Sequence, residues 1–203
     1  MHIESEWASI YYGTPKQKQG DAFLHLLDKT ITLTKQYPNA AEPIFWEAVV
    51  KATYADHQDG FSALSSIQEA RDLLEKAISI KPETMSGSAY VTLGTLYYMA
   101  PKWPIAFGDD QKAQEMLKTA LNINPNGIDA NYFYGDFLLI HNNPSEAQKY
   151  FAKAASAPAR PDQLYADNQL KAEARLALKN AKDRKISGAK NMFMSLFNSA
   201  SAQ

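Results

Sequence analysis

Apolar and small residues recur along the chain with the spacing of amphipathic helices. In one segment Ala70, Leu73, Leu74 and Ala77 follow the i, i+3, i+4, i+7 pattern, which places their side chains on one helix face. Four such segments occur, and each reaches a proline. Proline cannot continue a helix and biases the residue before it away from the helical region. The pattern therefore predicts four helices that end before Pro38, Pro82, Pro125 and Pro158.

The four segments are repeats of one another. The pair Ala70 and Ala77 has counterparts seven residues apart in the next two segments, at Ala113, Ala120, Ala147 and Ala154. A second helical pattern precedes each segment, over about residues 4–12, 41–56, 86–99 and 128–141. The sequence thus predicts one domain over residues 1–203, built from helix hairpins at about 1–38, 41–82, 86–125 and 128–158.

A glycine follows a large residue at matching points of two upstream helices. The pairs are Leu93-Gly94 and Tyr134-Gly135. Glycine costs about 1 kcal/mol in a helix interior relative to alanine, so it needs a structural reason there. Its recurrence predicts that the two helices of each hairpin approach too closely for a Cβ atom.

Two insertions and two further segments complete the predicted organisation. The extra length in the second and third repeats falls at residues 56–66 and 100–110, which we expect to be loops between the helices of a hairpin. Residues 161–181 predict a final helix that caps the stack. Residues 186–203 include the apolar run NMFMSLF, which either packs on its own chain or serves in subunit exchange or partner docking.

The best-preserved repeat resembles the tetratricopeptide family. Counted from Ile128, it matches the family's large-glycine-large first helix and the small and aromatic positions of its second helix, at Tyr134, Gly135, Leu138, Ala147, Phe151 and Ala154. Its length of about 34 residues is also that of the family. The resemblance implies an all-α fold, a right-handed superhelix of antiparallel helix pairs with a concave surface. The two preceding repeats depart from the pattern by their insertions, and the first repeat is degenerate.

A more specific resemblance covers about residues 86–180. Its segments WPIAFGD and ANYFYGDFL are similar to those of the helical T component associated with some TRAP-type solute transporters, and of exported bacterial proteins like it. The resemblance implies a periplasmic or otherwise extracytoplasmic protein that accepts a small organic solute or a protein partner. The first residues show no signal-peptide pattern, which fits a mature exported chain or a cytosolic one.

Composition and charge exclude several classes of function. The chain is 45% hydrophobic and 21% charged, which is ordinary for a globular protein. A net charge of −1 gives no general attraction to nucleic acid. The chain has no cysteine, so thiolate metal sites and a cysteine nucleophile are excluded. No apolar run approaches the roughly 20 residues of a membrane span, so we expect no integral membrane segment.

The sequence predicts no catalytic residue, no metal site and no cofactor. The four histidines are scattered over different elements, and none belongs to a metal-binding spacing. Nucleophile elbows, phosphate-binding loops and dinucleotide fingerprints are all absent from the sequence. At the start of the third repeat's second helix, Asp109 and Asp110 are expected to cap the helix, with ligand contact as the alternative.

A dense group of aromatic residues supplies the candidate binding site. Some of these rings lie close to the 100–110 insertion, and the others lie on the next predicted helix, together with two polar residues. The predicted groove comprises Tyr97, Tyr98, Trp103, Phe107, Asn131, Tyr132, Tyr134 and Asp136. Rings with polar tips suit a semi-apolar ligand or a peptide. Repeat packing also uses large residues at these positions, so the sequence leaves groove and core as alternatives.

The predicted function is binding rather than catalysis. We expect a non-enzymatic binding or adaptor protein that recognises a small solute or a protein partner through the concave groove. An oligomeric structural component, assembled through the C-terminal segment, is the alternative, and an enzyme with an unrecognised site comes third. Architecture does not decide among the three, because function is carried by sites.

Overall fold

The structure is a computed structural model that describes residues 3–182. This part of the chain forms nine α-helices: α1 Ile3–Gly13, α2 Lys16–Gln36, α3 Ala41–Tyr54, α4 Gly60–Ile80, α5 Ser88–Met99, α6 Asp110–Ile123, α7 Ile128–Ile140, α8 Pro144–Ser156 and α9 Leu164–Lys182. No β-strand occurs among these residues, so the all-α prediction is confirmed for them. The predicted docking segment at 186–203 lies outside the described residues.

The recurrent prolines mark the ends of the second helix in each hairpin. The even-numbered helices α2, α4, α6 and α8 each end two residues before the proline of their segment. This spacing follows from the bias that proline imposes on its predecessor, which becomes the first residue outside the helix. The helix ends predicted from the prolines are therefore confirmed.

In the second, third and fourth hairpins a stripe of small residues packs against a helix that is mostly buried. The repeated alanines of α4, α6 and α8 are fully buried. Their partners α3, α5 and α7 lie between neighbouring elements, and almost every residue of α7 is buried. A helix that is apolar all round is expected to be enclosed in this way.

Two glycines allow the close approach that the sequence predicts. A Cβ atom on Gly94 of α5 would lie 2.9 Å from Leu117 Cγ of α6. A Cβ atom on Gly135 of α7 would lie 2.8 Å from Phe151 Cε1 of α8. Both distances are shorter than a carbon contact allows, so the two helix pairs could not pack as they do around an alanine.

One predicted insertion is a loop, and the other is mostly helix. Between α5 and α6, residues 100–109 are not helical, as expected. The 56–66 loop prediction is wrong, because α4 already begins at Gly60 after a short turn at Ala55–His57. The reason is packing: Ala63 and Ile67, four residues apart, are buried on the face that α4 turns towards the core. The insertion therefore lengthens α4.

Polar groups at the starts of α6 and α8 cap these helices. The Asp109 side chain accepts a hydrogen bond from the Lys112 backbone N–H at 3.0 Å, which confirms the predicted cap. Asp110 instead forms an ion pair with Lys102, and its carboxylate lies 3.4 Å from His141 Nε2. These contacts join the 100–109 loop, the start of α6 and the end of α7.

The first and last helices of the described chain meet. Helix α9 packs against α7 and α8, as a capping helix should, and it also contacts α1. The Tyr12 and Tyr165 rings lie edge to face with their centres 6.0 Å apart. The stack therefore curves far enough to bring its two ends together, with the odd-numbered helices on the inside.

Candidate functional site

A cavity of about 110 Å³ lies between the five odd-numbered helices. Every one of α1, α3, α5, α7 and α9 contributes side chains to its lining, and the turns before α5 and α9 add a few more. Apolar cavities of about 150 Å³ are known to admit benzene, so this space suits a ligand with a body of roughly that size. The contact between α1 and α9 forms one of its walls.

Helices α1, α3 and α7 contribute aromatic side chains to the cavity wall. Trp7 and Tyr11 of α1 are stacked with ring centres 5.2 Å apart, and Trp46 of α3 lies 6.5 Å from Trp7. The Trp7 indole N–H donates a hydrogen bond to the buried Thr53 hydroxyl at 3.1 Å, which fixes the ring. Trp7 and Tyr11 are four residues apart and so share one face of α1, which directs both rings to the same side.

A charged group closes one part of the cavity. The Arg160 side chain donates two hydrogen bonds to the Asp167 carboxylate, from Nε at 3.0 Å and from Nη2 at 2.8 Å. Asp167 is only 2% exposed, so this bidentate pair compensates a buried charge. The Asp129 carboxylate also lines the cavity and accepts a hydrogen bond from the Ser88 hydroxyl at 2.5 Å.

Glu4 is a half-buried carboxyl group in the cavity lining. Burial raises the pKa of Glu4 to about 7, while the Arg160 guanidinium lowers it and the Asp162, Asp167 and Glu42 carboxylates raise it further. Burial disfavours the charged carboxylate because it removes the solvent that stabilises that charge. Glu4 therefore changes charge within the physiological range.

The Tyr132 side chain carries a hydroxyl that no described residue satisfies. Tyr132 is 1% exposed, and its Oη atom has no hydrogen-bond partner in the described part of the chain. Burial raises the pKa of this hydroxyl, the Asp136 carboxylate raises it further, and Glu173, Tyr11 and Tyr12 add to the effect. Glu173, Tyr11 and Tyr12 line the cavity and Asp136 does not, so the hydroxyl lies between the cavity and the contact of α5 with α7. Leaving a buried polar group unpaired costs about 1 to 3 kcal/mol, which a ligand atom could recover.

The structure separates the predicted groove residues into distinct groups. Tyr132 is the member of the predicted set that lines the cavity. Tyr98 donates a hydrogen bond to Asp136 at 2.8 Å inside the contact between α5 and α7. The Asn131 amide donates hydrogen bonds to the backbone carbonyls that precede α7. Tyr134 packs against Tyr150 of α8 with ring centres 4.7 Å apart. These four residues serve helix packing.

The remaining predicted residues belong to the 100–109 loop and its support. Phe107 lies edge to face on Tyr97, with ring centres 5.6 Å apart, and the Tyr97 hydroxyl donates a hydrogen bond to Glu75 at 3.2 Å. Trp103, in contrast, is 86% exposed and does not fold back over the helices. Phe107 thus anchors the loop, and the loop does not cover the cavity.

Sequence reasoning missed most of the cavity lining. Trp7, Tyr11 and Trp46 lie in the first two repeats, whose match to the repeat pattern is weak. A local signal did exist, because Trp7 and Tyr11 place two aromatic rings on one face of a short helix. Glu173 gave no signal of its own, since its helix was interpreted only as a cap.

No family model matches this chain, and a search of curated proteins finds no match either. The resemblances to the tetratricopeptide family and to the transporter T component therefore stay predictions. Within residues 3–182, no group of histidine, aspartate or glutamate side chains is arranged to hold a metal ion. None of the helices in that range combines the length and the apolar character that crossing a bilayer requires.

Proposed function

We propose that this chain is a non-enzymatic binding protein that holds a small molecule in the cavity between the odd-numbered helices. The observation that carries the proposal is the cavity itself, which all five helices line and to which α1, α3 and α7 contribute aromatic side chains, among them Tyr132 with its unsatisfied hydroxyl. A concave, mostly apolar space with a few polar groups is the usual form of a small-molecule site. Binding is favoured over catalysis because the sequence lacks nucleophile elbows, phosphate-binding loops and dinucleotide fingerprints.

The resemblances extend this proposal to a biological setting. If the tetratricopeptide resemblance holds, the hairpins form a right-handed superhelix and the cavity lies on its concave side. If the T-component resemblance also holds, the protein is extracytoplasmic and its ligand is linked to solute transport. Both extensions rest on the residues quoted above for each resemblance.

A matched pair of substitutions on α9 tests the binding proposal. Ala166 lines the cavity, whereas Ala172 on the same helix is exposed. We expect Ala166→Phe to fill the space and to weaken the binding of a neutral aromatic probe, 2-phenylethanol, by about tenfold or more. Ala172→Phe should bind the probe as the wild-type protein does.

The measurement is the rise of the thermal midpoint with probe concentration, which reports binding to the folded state. The proposal fails if Ala166→Phe is stabilised by the probe as strongly as the wild-type chain, or if no probe stabilises the wild-type chain.

Protein docking through the 100–109 loop is a second candidate function. It is favoured by the exposed apolar side chains of Trp103 and Ile105, which are 86% and 63% exposed. Large apolar side chains exposed together are typical of interaction sites. Light scattering on the wild-type chain, on Trp103→Ser and on a chain without residues 187–203 distinguishes self-association through the loop from assembly through the C-terminal segment.

A further inference from the structure

The charged side chains that line the cavity are mainly acidic. Glu4, Asp129 and Glu173 face it from three different helices. Arg160 is the basic residue among the described residues of the lining. Glu4 is partly protonated near neutral pH, because burial raises its pKa to about 7. Even so, the acidic groups outnumber the single base.

Arg160 is poorly placed to receive an anionic ligand. Its Nε and Nη2 atoms already bind the Asp167 carboxylate. The Glu4 and Asp129 carboxyl groups are close enough to act on the same guanidinium. An anion that entered here would compete with Asp167 for the hydrogen bonds and would be repelled by its neighbours. The charge around Arg160 is therefore satisfied within the protein.

The aromatic lining is suited to a positive charge. Tyr12 stands nearly perpendicular both to Trp7, at 87°, and to Tyr11, at 88°. The ring centres of Tyr11 and Tyr12 are 4.8 Å apart. The faces of tryptophan and tyrosine rings attract ammonium groups, so an aromatic cluster in the lining is compatible with a positively charged ligand.

An unsatisfied hydrogen-bond acceptor lies behind the cavity surface. The buried Tyr132 hydroxyl has no partner among the described residues, so its oxygen can accept a hydrogen bond from an N–H group that displaces the side chains covering it. Glu173 also lines the cavity, and its negative charge acts on the Tyr132, Tyr11 and Tyr12 hydroxyls. One region thus combines aromatic side chains, a negative charge and an unsatisfied acceptor behind the surface.

We propose that the ligand of the cavity is an amine in its protonated form, with an ammonium group beside Glu173, Tyr11, Tyr12 and Tyr132, and an apolar body. The apolar body lies against the Trp7 and Trp46 side of the cavity. This inference rests on the small-molecule binding proposed above and adds the charge of the ligand to it.

Three probes of similar shape and different charge test the inference. They are phenethylammonium, 2-phenylethanol and 3-phenylpropionate. Two of the three tryptophans, Trp7 and Trp46, line the cavity, so the binding of each probe can be followed by intrinsic fluorescence. The Trp103→Phe substitution removes the signal of the exposed third tryptophan and serves as the common background.

We expect phenethylammonium to bind about tenfold more tightly than the alcohol, and 3-phenylpropionate to bind most weakly. The inference is overturned if the alcohol or 3-phenylpropionate binds as tightly as the ammonium compound, while small-molecule binding itself stands. If none of the three probes binds, both proposals fall.

A pair of isosteric substitutions locates the ammonium group. Glu173→Gln should lower the affinity for phenethylammonium by about tenfold and leave that for 2-phenylethanol unchanged, which also shows that the variant is folded. Glu115 is exposed on α6 and does not line the cavity, so Glu115→Gln is the matched control and should leave both affinities unchanged. Equal affinity of wild type and Glu173→Gln for the ammonium compound would overturn the assigned position.

Discussion

The contact between α7 and α8 at Gly135 allows a quantitative prediction for Gly135→Ala. In a helix interior, alanine is favoured over glycine by about 1 kcal/mol, so an uncrowded site would gain stability. Here the new Cβ atom would lie 2.8 Å from Phe151 Cε1, 2.9 Å from Phe151 Cδ1 and 3.3 Å from the Ala147 carbonyl oxygen. The sign of the effect depends on whether these neighbours can move.

The neighbours of Gly135 are fixed by their own packing. Phe151 is fully buried, and its ring lies 5.8 Å from that of the buried Tyr132. The Ala147 oxygen belongs to the backbone of α8. Overpacking of this kind costs about 1 to 3 kcal/mol, and a rigid site belongs at the upper end of that range. After the helix-propensity gain, we expect Gly135→Ala to lose about 2 kcal/mol.

Thermal unfolding followed by circular dichroism measures this loss. For a chain of this length, about 2 kcal/mol corresponds to a midpoint lower by about 4 to 8 °C. Gly60, at the start of α4, is the matched control, since a Cβ atom there meets no atom within 4 Å. Gly60→Ala should gain about 0.4 to 1 kcal/mol. A Gly135→Ala midpoint at or above the wild-type value would refute the close contact between α7 and α8.

Three further predictions follow from burial and charge. Trp103→Ala should change the free energy of unfolding by no more than about 0.5 kcal/mol in urea titrations, because the side chain is 86% exposed. Arg160→Leu should lower the free energy of unfolding by about 3 to 5 kcal/mol, because the substitution leaves the buried Asp167 carboxylate unpaired. Adding Asp167→Asn to this variant should restore most of the lost stability. The raised pKa of Glu4, from 4.5 to about 7, means that the folded state binds more protons than the unfolded state between these values. The contribution of Glu4 to stability is therefore fully present below pH 4.5 and is lost as pH rises to about 7. The difference in thermal midpoint between the wild-type chain and Glu4→Gln should fall across that window and stay level outside it.

Local signals allowed most of the helices to be predicted. Proline acts on the residue before it, so Pro82 and Pro125 fixed the ends of α4 and α6 without any knowledge of the fold. Gly94 also lowers the stability of its helix relative to alanine, and its presence there is explained by a close contact between helices. The error at residues 56–66 came from the polar run before Gly60, which indicated a loop that is in fact shorter than predicted.

The cavity could not be predicted from local signals. Its lining depends on the angle between successive hairpins, which accumulates through the stack until Tyr12 meets Tyr165. The sequence of a single repeat does not determine that accumulated angle. The aromatic residues at 97–98 and 132–137 misled the prediction for a related reason, because a helix packed on several sides has large side chains, which look the same in the sequence as those of a binding surface. Tyr132 takes part both in helix packing and in the cavity lining.

The contact between α1 and α9 changes how this array is expected to unfold. In a linear stack each repeat is coupled only to its neighbours, and the end helices fray independently of each other. Here α1 and α9 contact each other, although nearly the whole described sequence separates them. Forming that contact requires the closure of a very long loop, so it is expected to be the last step of folding. Deleting α9 should consequently lower hydrogen-exchange protection in α1, at the opposite end of the chain, and not only in its sequence neighbour α8.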